Sequence, residues 1–415
     1  MARRPPRGRT PAPRAAAGLR IRMYNVGFGD CFLLFVPTSN GVRKIVIDCG
    51  SIKKKSRELR EIAASLIDDC RDPDGKARID ILIASHRHLD HITGFTHPDW
   101  AEVEVGEVWM PWVESPDDPR ALAIRHAQNR AAVALERAAS RLGLQGVVDT
   151  ALNARSTDDG LKALHAGFAL RAEPRFFPAG DGVVEKIEST LLPGIDVFVL
   201  GPPNNRQALK DDTAPPGQTL LTGLLAAEDD DDEDKFQPLT RDWIEGNLAL
   251  EDRLRDEAGF QDAVSRIAAY KLLAAKLDAE INDTSLILIF RIGEDYLLFP
   301  GDAQWGPWEL ALGNRRAIDL LEKVTFIKIG HHASHNASPA SLFRDHLGQR
   351  NARQNIVHAM ISMTPHGSFP NIPHTKLIQE LTNRQFPFVN SDKLTGALPP
   401  GFTRNGDLWF EFAFD

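Results

Sequence analysis

The chain has 415 residues, of which 42% are hydrophobic and 26% charged, with a formal net charge of −8 at pH 7. These proportions suit a globular protein with a large core and exclude a chain too polar to fold. No apolar run approaches the roughly 20 residues that span a bilayer, and the negative balance leaves only a local basic groove as a way to attract nucleic acid.

In chain order, residues 1–17 carry several Arg and Pro and lack the apolar stretch of a secretory signal. They are expected to be a disordered tail, with 18–415 forming one domain. Cys31, Cys49 and Cys70 are too few and too scattered for a disulfide framework or a thiolate zinc site. With no membrane segment, the expected location is the cytoplasm. Residues 19–36 read as two strands joined at Gly27 and Gly29, and 42–48 as a third strand ending at Gly50. Residues 58–68 show helical spacing through Leu59, Ile62, Ala63 and Leu66. Residues 79–84 form a buried strand, and strand, helix, strand in this order predicts an α/β layer.

Residues 121–144 predict a long surface helix, and 191–200 a strand ending at Gly201-Pro202-Pro203. Insertions are expected at about 101–190 and 207–276. The second contains the acidic run at 228–234, a block of like charge that reads as a solvated loop, and its later part, 252–277, reads as helix. Residues 285–292 and 295–299 form a hairpin around Gly293-Glu294. Strands are expected at 324–329 and 356–362, and a helix at 374–384. Two halves that each end strands on ligand-type residues predict a sandwich with its site on one shared edge.

The chemistry concentrates in Ser85-His86-Arg87-His88-Leu89-Asp90-His91, where three imidazoles and one carboxylate leave the strand 79–84 within six positions. Neutral imidazole and carboxylate are ligands for zinc and similar divalent metals. Ends of strands are also where open α/β proteins place ligands. His86 and His88, one residue apart, can share one metal, and Asp90 and His91 can serve a second.

The His-x-His-x-Asp-His pattern resembles the signature of the metallo-β-lactamase fold superfamily. Further segments follow in order: Tyr24-Asn25-Val26-Gly27-Phe28-Gly29-Asp30-Cys31, Ile45-Val46-Ile47-Asp48-Cys49-Gly50, Asn282-Asp283-Thr284-Ser285-Leu286, Leu298-Phe299-Pro300-Gly301-Asp302-Ala303 and Ile329-Gly330-His331-His332-Ala333-Ser334. Together, over about 19–412, they resemble the soluble hydrolase domain of ComEC-type DNA-uptake proteins and its stand-alone relatives. The resemblance implies a four-layer αββα sandwich with helical insertions and one or two divalent ions, Zn or Mn. It implies Asp302 as the carboxylate bridging two metals, His332 as a further ligand, and His331 as a phosphate or oxyanion contact able to supply a proton. Asp90 would orient water as well as bind metal. Asp30 is expected behind the ligands, since metal-bound imidazoles lean on carboxylates; Asp48 is open between that role and plain turn chemistry. Ser334 and Ser338 are candidates for holding a phosphate oxygen, and His374 for a catalytic position. Superfamily members commonly carry one more His before the bridging Asp, but none occurs here between His165 and His331.

The implied activity is metal-dependent phosphodiester cleavage on DNA or RNA, with nucleic acid as the partner and any protein partner unknown. A small-molecule phosphodiesterase or other ester hydrolase is the first alternative, and a non-catalytic partner in a multi-protein system the second. The uptake proteins are embedded in a membrane, so a transport role does not carry over.

Overall fold

A computed structural model describes residues 18–52, 56–155, 158–170, 173–204, 209, 260–333, 337–364 and 373–414. The tail at 1–17, the acidic run at 228–234 and Ser334 lie outside the described residues. Alternation of side chains along each strand sorts the sequence into layers. The strands are β1 (Arg20–Tyr24), β2 (Cys31–Thr38), β3 (Gly41–Cys49), β4 (Arg78–Ile83), β5 (Glu104–Pro111), β6 (Pro174–Phe177), β7 (Glu185–Ile187) and β8 (Asp196–Gly201). They continue as β9 (Ile287–Ile292), β10 (Asp295–Phe299), β11 (Phe326–Lys328), β12 (His358–Ile361), β13 (Phe388–Asn390), β14 (Phe402–Asn405) and β15 (Trp409–Ala413).

An eight-stranded sheet runs β14-β15-β1-β2-β3-β4-β5-β6, and a seven-stranded sheet runs β13-β12-β11-β10-β9-β8-β7. The first is antiparallel from β14 to β3 and parallel from β3 to β6. The second is parallel from β13 to β10 and antiparallel from β10 to β7. Between the sheets, Ile21, Phe32, Leu34, Ile45, Ile47, Ile81 and Ile83 pack against Leu288, Phe290, Leu297, Phe299, Phe326 and Met360. The intervening positions face outward. Leu33, Val46 and Leu82 meet Ile62 and Leu66 of the helix Ser56–Asp69. Ile289, Leu298 and Ile327 meet Trp308, Leu320, Leu377 and Leu381 on three helices, Trp305–Leu312, Arg315–Leu321 and Thr375–Asn383. This is the four-layer αββα sandwich expected from the order of the motifs. Truncating an inner aromatic such as Phe290 to Ala would cost about 3–5 kcal/mol.

The insertions differ from expectation in extent. Within 101–190, β5 and β6 belong to the first sheet, because β5 pairs in parallel with β4 and β6 with β5. Residues 190–194 turn at Pro193-Gly194, so the strand expected from 191 begins at Asp196. The long helix runs Pro119–Arg141 with Asp118 as its cap, and a second helix, Gln145–Ala154, follows. The helix expected to stop at 277 runs Phe260–Asn282. These three helices share an apolar patch built from Ala131, Leu135, Val147, Ala151, Leu277 and Ile281. Small residues on all three let the two insertions pack closely together.

Candidate metal centre

The C-terminal ends of β3, β4, β10, β11 and β12 come to one edge of the sandwich. There they deliver Asp48, the segment 85–91, Asp302, the pair His331-His332 and Ser362. Glycine makes the convergence possible. A Cβ on Gly50 would lie 2.4 Å from the Asp90 carbonyl carbon and 2.5 Å from His91 N, and one on Gly29 would lie 2.5 Å from Asp90 O. Both loops therefore press bare backbone onto the His motif, and Asp30 N donates to Asp90 O (3.0 Å). The second sheet is tied in by Leu286 N donating to Ser85 O (2.9 Å). Ser285 accepts from Asp302 N (3.0 Å) and Asp283 from Gln304 N (2.8 Å), which explains the Asn-Asp-Thr-Ser-Leu segment as a brace for the Asp302 turn. His331, His332 and Ala333 are consecutive left-handed residues, at φ 44°, 52° and 64°. Such backbone persists only where the surroundings over-determine it.

His86, His88, Asp90, His91, Asp302 and His332 are all buried, none more than 2% exposed. His86 Nε2 and His88 Nδ1 face each other at 3.0 Å. His91 Nε2 lies 3.2 Å from Asp302 Oδ2, and His332 Nε2 lies 3.0 Å from Asp90 Oδ2 and 4.0 Å from Asp302 Oδ2. Three sets bring their donor atoms within 4.8 Å: His86 with His91 and Asp302; Asp90 with His91 and His332; and Asp30 with Asp48 and His91. His91 is common to all three, and His88 joins none despite its contact with His86. Asp48 leans on the motif, with Oδ2 at 2.8 Å from His91 Nδ1 and both oxygens accepting from Ser85, at 2.7 Å from N and 2.6 Å from Oγ. His332 Nδ1 donates to Ser362 O (2.8 Å), and Ser362 Oγ donates to Gly29 O (2.6 Å).

Charge is arranged by partner. Burial, with His91 and His88 nearby, holds His86 well below its ordinary value. Burial brings His88 down to about 3 and His331 to about 4. Those imidazoles are neutral at pH 7, the form that ligates metals. Burial also works against charge on His91 and His332, but carboxylates prevail: Asp302, Asp48 and Asp90 raise His91, and Asp90 and Asp302 raise His332. Burial likewise opposes ionisation of Asp90, yet His91 and His332 hold it below the usual carboxylate range.

Two residues emerge that the motif did not reveal. Lys328, inside β11, is buried with Nζ donating to Gly301 O and Asp302 Oδ1, both at 2.8 Å, and pairing with Asp30 Oδ2. Its sequence signal is a lone cation inside the apolar run Phe326-Ile327-Lys328-Ile329. Asp278, on the helix Phe260–Asn282, lies 3.8 Å from His88 Nε2 and 3.6 Å from His331 Nε2. Burial and the fields of Asp90 and Asp302 push it up to about 7. Its only signal is a one-turn spacing from Asn282.

The donor set fits a divalent cation. Asp30, Asp48, Asp90, Asp278 and Asp302 set five carboxylates against the single ammonium of Lys328 among the described residues. Among the described residues, Asp90 Oδ1 and His88 Nε2 are buried without a hydrogen-bond partner, and leaving such atoms unmatched costs about 1–3 kcal/mol each. Of the remaining candidates, His331 is partly exposed at the mouth and its backbone N–H donates to Asp302 Oδ1 (2.9 Å). Ser338 is buried beside Pro339. His374 stands immediately before the helix Thr375–Asn383 without a side-chain capping bond, and its backbone N–H donates to Ala333 O (2.9 Å), which sets that helix against the left-handed turn. Neither Ser338 nor His374 belongs to the three donor sets.

Fold and site together define the class: an αββα sandwich with a buried His/Asp cluster at the strand ends. No protein-family model and no curated protein matches the sequence. Among solved structures the chain is similar to the metallo-β-lactamase fold protein YhfI from Bacillus subtilis. That pair is 9% identical with a TM-score of 0.36, over 90% of this chain and 96% of the other. At that score the likeness carries no weight for site or activity. No helix among the described residues is long and apolar enough to cross a membrane.

Proposed function

We propose that this chain is a divalent-metal-dependent hydrolase that cleaves phosphodiesters, with DNA or RNA as its substrate class. The observation that carries this reading is the meeting of His86 Nε2 with His88 Nδ1 and of His91 Nε2 with Asp302 Oδ2, at 3.0 and 3.2 Å, beside the unmatched Asp90 Oδ1. His86, His88 and Asp302 would hold one ion, and Asp90, His91, His332 and Asp302 a second; zinc and manganese both suit this mixture. Bound there, the ion supplies Lewis acidity and lowers the pKa of water from above about 15 to about 7.

The chain's own residues do the rest. Asp48 and Ser362 O fix the His91 and His332 rings through their Nδ1 atoms. Lys328 keeps Asp302 ionised and aims its Oδ2 at His91. Asp90 presents its unmatched oxygen to the reacting region. His331, neutral and at the mouth, would contact a phosphate oxygen, and Ser338 and His374 are the next residues to test for that role. The nuclease assignment rests on the ordered ComEC-type motifs. A small-diester reading is favoured by the helical layer, since Asn153 Oδ1 accepts from Asp90 N (3.3 Å) and Asp278 approaches His88, which walls the site on that side.

The test is hydrolysis of plasmid, single-stranded DNA, RNA and bis-p-nitrophenyl phosphate with Mn²⁺, Zn²⁺ or Mg²⁺. Activity on nucleic acid, lost in Asp90→Ala and His91→Ala, is expected. Turnover of the small diester alone would select the second reading. No hydrolysis with any metal would refute both.

A further inference from the structure

Three imidazoles of the cluster present one nitrogen to the centre and rest the other on something else. For His91 that support is Asp48 Oδ2 at 2.8 Å, for His332 it is Ser362 O at 2.8 Å, and for His86 it is Ser85 Oγ at 3.1 Å. His88 is the exception. Its Nδ1 faces His86, while its Nε2 is buried without a hydrogen-bond partner among the described residues. The carboxylate oxygen Asp278 Oδ1 lies 3.8 Å from that atom, about 0.6 Å beyond the hydrogen-bonding range.

Asp278 is not a chance neighbour. Asn282, one turn further along the helix, donates from Nδ2 to Asp278 Oδ2 (2.9 Å), which leaves Oδ1 directed at His88. The same amide nitrogen lies 3.4 Å from His331 Nε2, and Asp278 Oδ2 lies 3.6 Å from it. The helix is anchored through Leu277 and Ile281 to the two helices of the other insertion. Inward, Asp278 thus spans His88, the one candidate imidazole ligand that lacks a support among the described residues, and the His at the mouth.

We propose that Asp278 is a positioning residue of the metal centre: its carboxylate takes the Nε2–H of His88, which fixes Nδ1 as the ligating atom, and with Asn282 it holds His331 at the mouth. This rests on the metal-centre reading above and extends it to an inserted helix outside the motifs. It also gives the insertion a chemical task, since metal-bound imidazoles depend on such carboxylates for ring orientation and tautomer.

The test titrates the full chain with Co²⁺, following its visible absorption and its affinity against a chromophoric chelator, for the wild type, Asp278→Ala and Asp278→Asn. Asp278→Ala is expected to bind about 10- to 100-fold more weakly, with an altered absorption envelope as the His88 ring reorients. Asp278→Asn keeps an oxygen acceptor and is expected to recover part of both. Unchanged affinity and spectrum in Asp278→Ala would overturn the proposal while leaving the metal centre intact, and so would an Asn variant no better than Ala. A wild type that takes up no Co²⁺ would instead overturn the metal reading itself, and this proposal with it.

Discussion

Replacing Lys328 with Met tests how the centre is held together without metal. The ammonium contacts Asp302 Oδ1 and Gly301 O at 2.8 Å and pairs with Asp30. Asp30 and Asp302 are each 1% exposed, so removal strands the Asp30 carboxylate and leaves Asp302 only its contacts with His91 Nε2 and the His331 N–H. Breaking a buried pair by deleting one partner costs about 3–5 kcal/mol. For 415 residues the melting entropy is about 0.9 kcal/mol/K, at about 2.1 cal/mol/K per residue. The metal-free Lys328→Met chain should therefore melt about 3–6 °C lower. Adding Asp30→Asn to the same chain should recover at least half of the loss, because the stranded charge is gone. Calorimetry of the four chains of that cycle, in excess chelator, is the assay. Melting of Lys328→Met within 1 °C of wild type, or a double variant whose losses simply add, would refute the argument that this ammonium neutralises the pair.

Gly50→Ala should cost about 1–3 kcal/mol of stability and weaken Co²⁺ binding, since the new Cβ would press on the Asp90 and His91 backbone; wild-type affinity would rule out that contact. Glu107 is held below its ordinary range because hydrogen bonds from Trp109, Ser189 and Arg175 outweigh burial. Its folded value is depressed, so its stabilisation is present above the unfolded value of about 4.3 and is lost as pH falls through the folded one. Glu107→Gln should therefore melt lower at pH 7, by about 1.5–3 kcal/mol, with the gap closing below about pH 4; a gap independent of pH would contradict this. Ser85→Ala removes an Asp48 donor at 2.6 Å and should cost about 1–3 kcal/mol, read by denaturant titration.

The sequence made the sandwich legible because its strands obey simple periodicity and its candidate ligands lie beside strand ends. His86, His88, Asp90 and His91 share one short segment, so spacing alone exposes them. Asp302 and His332 are single letters hundreds of positions away, and only the order of the segments marks them out. Lys328 and Asp278 were beyond that reach: a strand lysine and a helix aspartate become part of a centre only when tertiary packing brings them there. The same holds for β5, whose membership of the first sheet depends on a parallel partner rather than on its own pattern, and for Asp48, whose position at 2.8 Å from His91 Nδ1 gives a geometric reason that turn chemistry alone did not.

The support of His332 has a mechanical consequence. Its ring rests on Ser362, at the end of a strand in one layer, and the hydroxyl of that serine grips Gly29 in the loop of the other. Any sliding of the layers past each other must drag this imidazole along. A cation clasped there would act as a rivet through the open rim of the sandwich, so stripping it away would shorten the molecule's lifetime against a protease as well as silence its chemistry.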